Sequence, residues 1–230
     1  MTPAELRSRL ADNLRAVEEH IAAACARSGR LRDDVTLVAV TKSVGVEIAA
    51  MLPELGVVDL GESRPQELWR KASALPTDVR WHLIGHLQRN KIEKTLPLVH
   101  LIHSVDSERL LGALDHEAGK LGRIASVLLE VKLSREAAKT GLPTDVLPAV
   151  VQRLPAFKNI SVRGLMTMAA LEGDPRATFA ELRNWATRLS GPQSMSELSM
   201  GMTNDFEVAV EEGATLVRIG SALFEGLPES

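Results

Sequence analysis

Two basic residues lie where apolar, β-branched segments of the chain end, and both are able to act on a small ligand. Lys42 directly follows one such segment, and Arg218 lies inside another. A lysine there is either an ordinary surface residue or a buried amine of lowered pKa that attacks a carbonyl carbon. An arginine there either pairs with a carboxylate, such as Asp205 or Glu62, or presents its guanidinium group to a ligand. The residue types alone leave both pairs of alternatives open.

Two segments rich in glycine and serine are typical of a phosphate-binding site. Ser199 and Gly201 precede a segment of helical periodicity, and Gly220 and Ser221 precede what we predict to be a short C-terminal helix. Backbone N–H groups at a loop-to-helix junction bind anions, and glycine allows the ligand to approach the backbone closely. The serine hydroxyl groups, and that of Thr203, would add donors. The alternative is that these residues only form turns and helix caps.

The elements that must position these residues alternate along the chain. A helix is predicted over residues 1–29, where apolar residues recur every three or four positions. Apolar segments then predict strands over 35–40, 57–60, 80–84, 99–105, 125–131, 160–166, 195–200 and 215–220. Helical periodicity fills the intervals, over 45–55, 64–74, 86–95, 107–121, 144–154, 174–190 and 204–212. Eight strands alternating with helices predict an α/β fold, a single (β/α)₈ TIM-type barrel with an extra N-terminal helix, over residues 1–230 as one domain.

Composition excludes several classes of protein. The chain has 230 residues and a formal net charge of −3, which argues against bulk binding to nucleic acid or to an anionic membrane. Cys25 is the single cysteine, so no intramolecular disulfide can form. The chain contains no tyrosine, so no phenol of its own can act as an acid or a base. We find no signal-type segment and no stretch that would span a membrane, and we expect a cytoplasmic protein.

Histidine spacing gives a weak indication of a metal site. His82 with His86, and His100 with His103, have separations seen in metal centres. Neither pair has a cysteine or a cluster of carboxylates beside it in the sequence. We therefore expect no metal.

The ends of the predicted strands carry specific strings of residues. They include Val40-Thr41-Lys42, Gly61-Glu62, Trp81-His82-Leu83-Ile84-Gly85, Leu87-Gln88-Arg89-Asn90-Lys91, Gly164-Leu165-Met166-Thr167-Met168, Leu198-Ser199-Met200-Gly201-Met202 and Val217-Arg218-Ile219-Gly220. These strings resemble the pyridoxal phosphate homeostasis protein family, and the resemblance runs from the first helix to the last strand.

The resemblance implies a fold-type III barrel that binds pyridoxal 5′-phosphate, like the N-terminal domain of alanine racemase. It implies that Lys42 forms an aldimine with the coenzyme and that Arg218 faces the pyridine nitrogen. The implied phosphate ligands are Ser199, Gly201, Gly220 and Ser221. Met166 is a further predicted contact of the coenzyme. A methionine in such a position is also common as core packing.

The function that the resemblance implies is intracellular homeostasis of pyridoxal phosphate, without robust catalytic turnover. The protein would hold the coenzyme, hand it to apo-enzymes and act as a monomer. One alternative is an amino-acid racemase of the same fold type, and another is a Schiff-base aldolase. Racemases of this type use a tyrosine as the second base, which this chain lacks.

Three positions bear on how far the resemblance extends. Ser63 stands where the family usually has asparagine, and Lys132 stands where it favours asparagine. Lys139 matches a second family lysine, which is either an alternative coenzyme site or a solvated loop residue.

Overall fold

The computed structural model describes residues 1–133, 140–170, 173–189 and 195–229. Its strands are β1 (Thr36–Val40), β2 (Asp59–Glu62), β3 (Arg80–Leu83), β4 (Val99–Val105), β5 (Ala125–Lys132), β6 (Leu142–Pro143), β7 (Ile160–Met166), β8 (Glu197–Ser199) and β9 (Leu216–Ile219). Eight of them pair in parallel in the order β1-β2-β3-β4-β5-β7-β8-β9, and β9 pairs back onto β1. The short strand β6 also pairs in parallel, with β5. The sheet is therefore closed, which confirms the predicted barrel. The extent of the domain, residues 1–230, stays a prediction.

Helices surround this barrel. They are α1 (Pro3–Arg27), α2 (Val46–Glu54), α3 (Pro65–Ala72), α4 (Ile92–Thr95), α5 (Glu108–Lys120), α6 (Leu147–Arg153), α7 (Pro175–Leu189) and α8 (Phe206–Glu211). The extra helix α1 begins at a capping box, in which Thr2 and Glu5 satisfy each other's backbone N–H groups. It buries one face, which includes Leu10, Leu14 and Ile21, against the barrel's outer layer. In the described ranges, no helix is long and apolar enough to cross a membrane.

Alternation along the strands separates the inside of the barrel from the outside. Five buried apolar residues form a small cluster of their own: Val38, Leu101, Leu128, Met166 and Leu216. Their neighbours along the strands belong instead to the main core, beneath the helices. Because successive side chains of a strand point to opposite faces, the small cluster fills the barrel interior.

The predicted boundaries of β2 and of the helix after β3 are wrong. β2 begins at Asp59 and extends to Glu62, two residues beyond the predicted 57–60. Strand propensity does not mark Gly61 or an acidic residue as strand, and here pairing with β1 and β3 decides the boundary. The helix predicted over 86–95 is reduced to a 3₁₀ turn at Arg89–Lys91 followed by α4.

The C-terminal segment also differs from expectation. Residues after Gly220 form successive turns in place of the predicted short helix, with Leu223 and Phe224 both donating to the Gly220 carbonyl. Asn13 of α1 fastens this segment by donating to the carbonyls of Leu223 (3.0 Å) and Glu225 (2.9 Å). The N-terminal helix thus supports the chain that follows β9.

Candidate functional site

An open cavity of about 780 Å³ lies at the carboxyl ends of the barrel strands. Four of the predicted site residues line it: Lys42, Arg218, Gly220 and Ser221. In barrels of this type the loops at this end of the strands carry function. The structure therefore brings the lysine, the arginine and one of the two glycine-serine segments to one place.

Lys42 is exposed at the rim of this cavity. Of the two alternatives, an exposed or a buried amine, the structure shows the exposed one. The residue before it, Thr41, is fully buried and is held by a buried ion pair. Lys71 Nζ lies 2.6 Å from the Thr41 carbonyl and 2.6 Å from Glu62 Oε1, and the Thr41 hydroxyl donates to the same carboxylate oxygen at 2.7 Å. The pair joins the ends of β1 and β2 to α3, and so fixes the backbone from which Lys42 projects.

Arg218 forms part of the cavity wall and is only 3% exposed. Its Nη1 donates to Ser199 Oγ at 2.6 Å, and its Nη2 donates to the Thr167 carbonyl at 3.0 Å. Burial lowers the pKa of the guanidinium to about 10, although Asp205 and Glu130 attract its positive charge. The group is a cation at neutral pH. Glu62 is not its partner, because that carboxylate pairs with Lys71.

Two loops meet beside Arg218. Ser221, after β9, donates its hydroxyl to Thr203 Oγ1 at 3.0 Å, and Thr203 belongs to the loop after β8. In that loop Met202 N donates to Asp205 Oδ1 at 2.6 Å. Gly201 has φ +91°, and a Cβ there would lie 2.6 Å from that of Ala209 on α8. Only glycine lets this loop pack against α8 in the observed conformation.

A buried carboxyl group faces the cavity from β5. Glu130 lines the cavity and accepts a hydrogen bond from the Thr140 hydroxyl at 2.6 Å. Burial raises the pKa of Glu130 above its usual range, against the effect of that hydrogen bond. Glu130 is not among the predicted site residues. The sequence indicates it only by an acidic side chain at an inward position of an apolar strand.

Three predicted ligands lie outside the described cavity lining. Met166 belongs to the interior cluster and is 1% exposed. Ser199 is fully buried beneath Arg218, and Gly201 accepts a backbone hydrogen bond from Arg218 N at 3.0 Å. The structure places these three below or behind the cavity wall. Lys139 lies outside the described residues.

Comparison with known proteins identifies the family. The alanine racemase N-terminal domain model matches residues 8–228. The pyridoxal phosphate homeostasis protein of Deinococcus radiodurans is 42% identical over 202 residues, which cover 86% of this chain and 93% of that protein. Its counterpart in Aquifex aeolicus is 37% identical over 219 residues, covering 93% and 96%. The chain belongs to the pyridoxal phosphate homeostasis protein family. The predicted family membership is confirmed.

A solved structure of this family gives a similar barrel. PipY of Synechococcus elongatus, solved with pyridoxal phosphate bound, superposes with a TM-score of 0.83 at 36% identity, covering 94% of this chain and 99% of PipY. The homeostasis-family barrel is therefore shared along almost the full length of both proteins.

Buried polar groups lie beneath the cavity, and no pattern in the sequence indicates them. Lys71 is an unremarked residue of an amphipathic helix, yet it is 1% exposed and holds Glu62. The spacing of His82 and His103 suggests only metal ligands, whereas in the structure their rings are hydrogen-bonded to each other. These contacts join separate elements, nine residues apart for Lys71 and Glu62 and 21 residues apart for His82 and His103, and no local pattern reports them.

Proposed function

We propose that the chain is a pyridoxal 5′-phosphate-binding protein that attaches the coenzyme to Lys42 and releases it again, without robust catalytic turnover. The observation that carries this proposal is the shared cavity of Lys42, an exposed amine, and Arg218, a buried cation. The homeostasis proteins to which the chain is similar support it, as does the coenzyme bound in PipY.

The residues present fit this coenzyme. Pyridoxal phosphate supplies an aldehyde that condenses reversibly with a lysine amine, a pyridine ring and a phosphate dianion. Lys42 offers the amine at an open rim, where another amine can also reach it. An attachment that a competing amine can reverse is what a carrier requires.

Arg218 and the two loops would hold the remaining parts of the coenzyme. The hydroxyl groups of Thr203 and Ser221 lie 3.0 Å apart at the junction of the loops. Thr203 accepts from Ser221 and keeps its own proton for a phosphate, and the Ser221 hydroxyl would rotate from Thr203 to donate to the phosphate as well. Arg218 would donate to the pyridine nitrogen and, because arginine keeps its protons, would leave that nitrogen unprotonated. An unprotonated ring is a weaker electron sink, which suits storage better than turnover.

Lys42→Ala should weaken coenzyme binding without abolishing it. Hydrogen bonds to a charged group contribute about 1.5–3 kcal/mol each, so three or four bonds to phosphate approach the roughly 8 kcal/mol of a micromolar complex. Equilibrium dialysis of the wild-type chain and of Lys42→Ala against pyridoxal phosphate measures the difference. Lys132→Ala, another lysine at a strand end but outside the cavity lining, is the matched control and should bind as the wild type does.

Transfer and turnover assays then test the rest of the proposal. The loaded chain should reactivate an apo-enzyme that depends on pyridoxal phosphate, and it should not interconvert L- and D-alanine. Failure of the wild-type chain to bind the coenzyme would remove the proposal. Racemisation that scales with protein concentration and disappears in Lys42→Ala would replace the carrier with an enzyme.

A further inference from the structure

A continuous line of buried side chains crosses the interior of the barrel and ends at Arg218. Asp59 Oδ1 lies 2.9 Å from His82 Nε2, and His82 Nδ1 lies 2.8 Å from His103 Nε2. His103 Nδ1 lies 2.7 Å from Ser199 Oγ, to which Arg218 donates at 2.6 Å. The two histidines, the serine and the arginine are each at most 3% exposed. The line joins residues of β2, β3, β4, β8 and β9.

When both histidines are neutral, the carboxylate end of the line fixes the direction of every hydrogen bond in it, and the arginine end is compatible with that direction. Arginine only donates, and an ionised carboxylate only accepts. Since Arg218 donates to the Ser199 oxygen, the Ser199 proton can point at His103 Nδ1, which accepts it. A neutral imidazole that accepts at Nδ1 carries its proton on Nε2, so His103 donates to His82. By the same rule His82 donates from Nε2 to Asp59.

The reverse direction fails at the carboxylate end. If His82 donated to His103 from Nδ1, a neutral His82 would present a lone pair of Nε2 to the Asp59 carboxylate. Two acceptors would then face each other at 2.9 Å without a proton between them, unless a further proton entered the barrel. The inferred direction, from Ser199 towards Asp59, satisfies every group with both histidines neutral.

Electrostatics favour the same protonation states. The titratable and charged groups facing His103 are His82, His100 and Arg218. Burial, and to a smaller extent the electrostatic effect of these neighbours, holds the pKa of His103 well below its usual range. At the other end, burial opposes ionisation of Asp59, but hydrogen bonds from His82 and Arg80 outweigh it and lower the pKa of that carboxyl group. A neutral His103 and an ionised Asp59 are the states that the hydrogen-bond directions require.

We propose that His82, His103 and Ser199 form a positioning relay, which uses the Asp59 carboxylate as its anchor to hold Arg218 as an oriented donor for the aromatic nitrogen of the coenzyme. The proposal rests on the proposed function, because it assigns that nitrogen to Arg218. With Nη1 on Ser199 and Nη2 on the Thr167 carbonyl, the plane of the guanidinium is set. Its remaining N–H groups have no hydrogen-bond partner among the described residues and can donate to a ligand.

Two variants at position 103 separate positioning from packing. In His103→Asn the amide oxygen falls near the place of Nδ1 and can still accept from Ser199. His103→Gln reaches the place of Nε2 but offers no acceptor at Nδ1. Both remove the imidazole, so lost packing should affect them alike. His116→Gln, at an exposed histidine of helix α5, is the control.

The first measurement uses the wild-type chain without coenzyme. Long-range ¹H–¹⁵N correlation spectra report the tautomer of each histidine. His103 is expected to stay neutral with its proton on Nε2 from pH 5 to pH 8. An imidazolium at position 103 in this interval, or a proton on Nδ1, would overturn the relay, and this result needs no variant to fold.

The second measurement uses pyridoxal phosphate itself. His103→Gln should bind it about tenfold more weakly than the wild type, a ratio equivalent to roughly 1.4 kcal/mol, and should shift the pH profile of the bound chromophore's absorbance. His103→Asn should recover most of both effects, and His116→Gln should match the wild type. Equal behaviour of the Gln and Asn variants would refute the relay. A wild-type chain that does not bind the coenzyme would refute the proposed function, while the spectra would still decide the tautomer.

Discussion

Lys71→Met should destabilise the fold strongly, although the residue is remote from the cavity surface. The ammonium group is 1% exposed and lies 2.6 Å from Glu62 Oε1 and 2.6 Å from the Thr41 carbonyl. Methionine keeps much of the side-chain volume but leaves a buried carboxylate whose second oxygen already has no hydrogen-bond partner among the described residues. Removing one partner of a buried ion pair costs about 3–5 kcal/mol of unfolding free energy. Urea unfolding measures this loss.

Two companion variants make the Lys71 test specific. Glu62→Met combined with Lys71→Met removes both charges, and it should recover most of the lost stability because an apolar pair of similar volume is often neutral. Arg70→Met breaks the neighbouring Arg70–Glu67 pair of the same helix, which is half-exposed, and should cost less than about 1 kcal/mol. If Lys71→Met costs no more than Arg70→Met, or if the double variant is as unstable as the single one, the reasoning is wrong.

Three further changes have defined outcomes. Gly201→Ala should lower the free energy of unfolding in urea by about 2–4 kcal/mol, because it combines φ +91° with a clash against Ala209. The control Gly29→Ala has φ +68° in open space and should lower it by about 1–2 kcal/mol. Equal losses of stability would contradict the packing argument. Asp59 is held ionised by its imidazole and guanidinium partners against the effect of burial, so its pKa is lowered on folding. The stability advantage of the wild type over Asp59→Asn in urea should therefore be full above about pH 5 and should shrink as the pH falls below about 4 towards the folded pKa; an advantage that grows on acidification would have the wrong sign. Ser221→Ala should weaken binding of pyridoxal phosphate roughly 10- to 150-fold, the effect of one lost hydrogen bond to a charged group, and unchanged dialysis curves would exclude this hydroxyl from the phosphate site.

The sequence was sufficient to predict the barrel, because each strand of a parallel barrel is a local apolar segment between helices. The predicted strand over 99–105 has the observed bounds. The errors lie where partners override local preference. β2 includes Asp59 and Glu62, whose charges are buried only because Arg80, His82 and Lys71 meet them. Those contacts form only when distant elements pack together, so no local propensity predicts them.

Less of the candidate site than of the fold could be predicted from the sequence. Position after a strand was enough to find Lys42, Arg218 and Ser221, since the carboxyl ends of barrel strands meet at one face. The same argument predicts that Ser199 binds phosphate, and this stays a prediction. In the structure the Ser199 hydroxyl lies 2.7 Å from Nδ1 of His103, 96 residues away. The direction in which a short side chain points depends on register and on neighbouring strands, and a single sequence does not report it.

Peptide mapping after borohydride reduction tests most directly whether Lys42 holds the coenzyme. The wild-type chain is incubated with pyridoxal phosphate, reduced, digested and examined by mass spectrometry, beside Lys42→Ala treated in the same way. We predict one pyridoxyl group per wild-type chain, located on Lys42, and none in Lys42→Ala. A pyridoxyl group at full occupancy in Lys42→Ala, or on another lysine of the wild-type chain, would contradict the account.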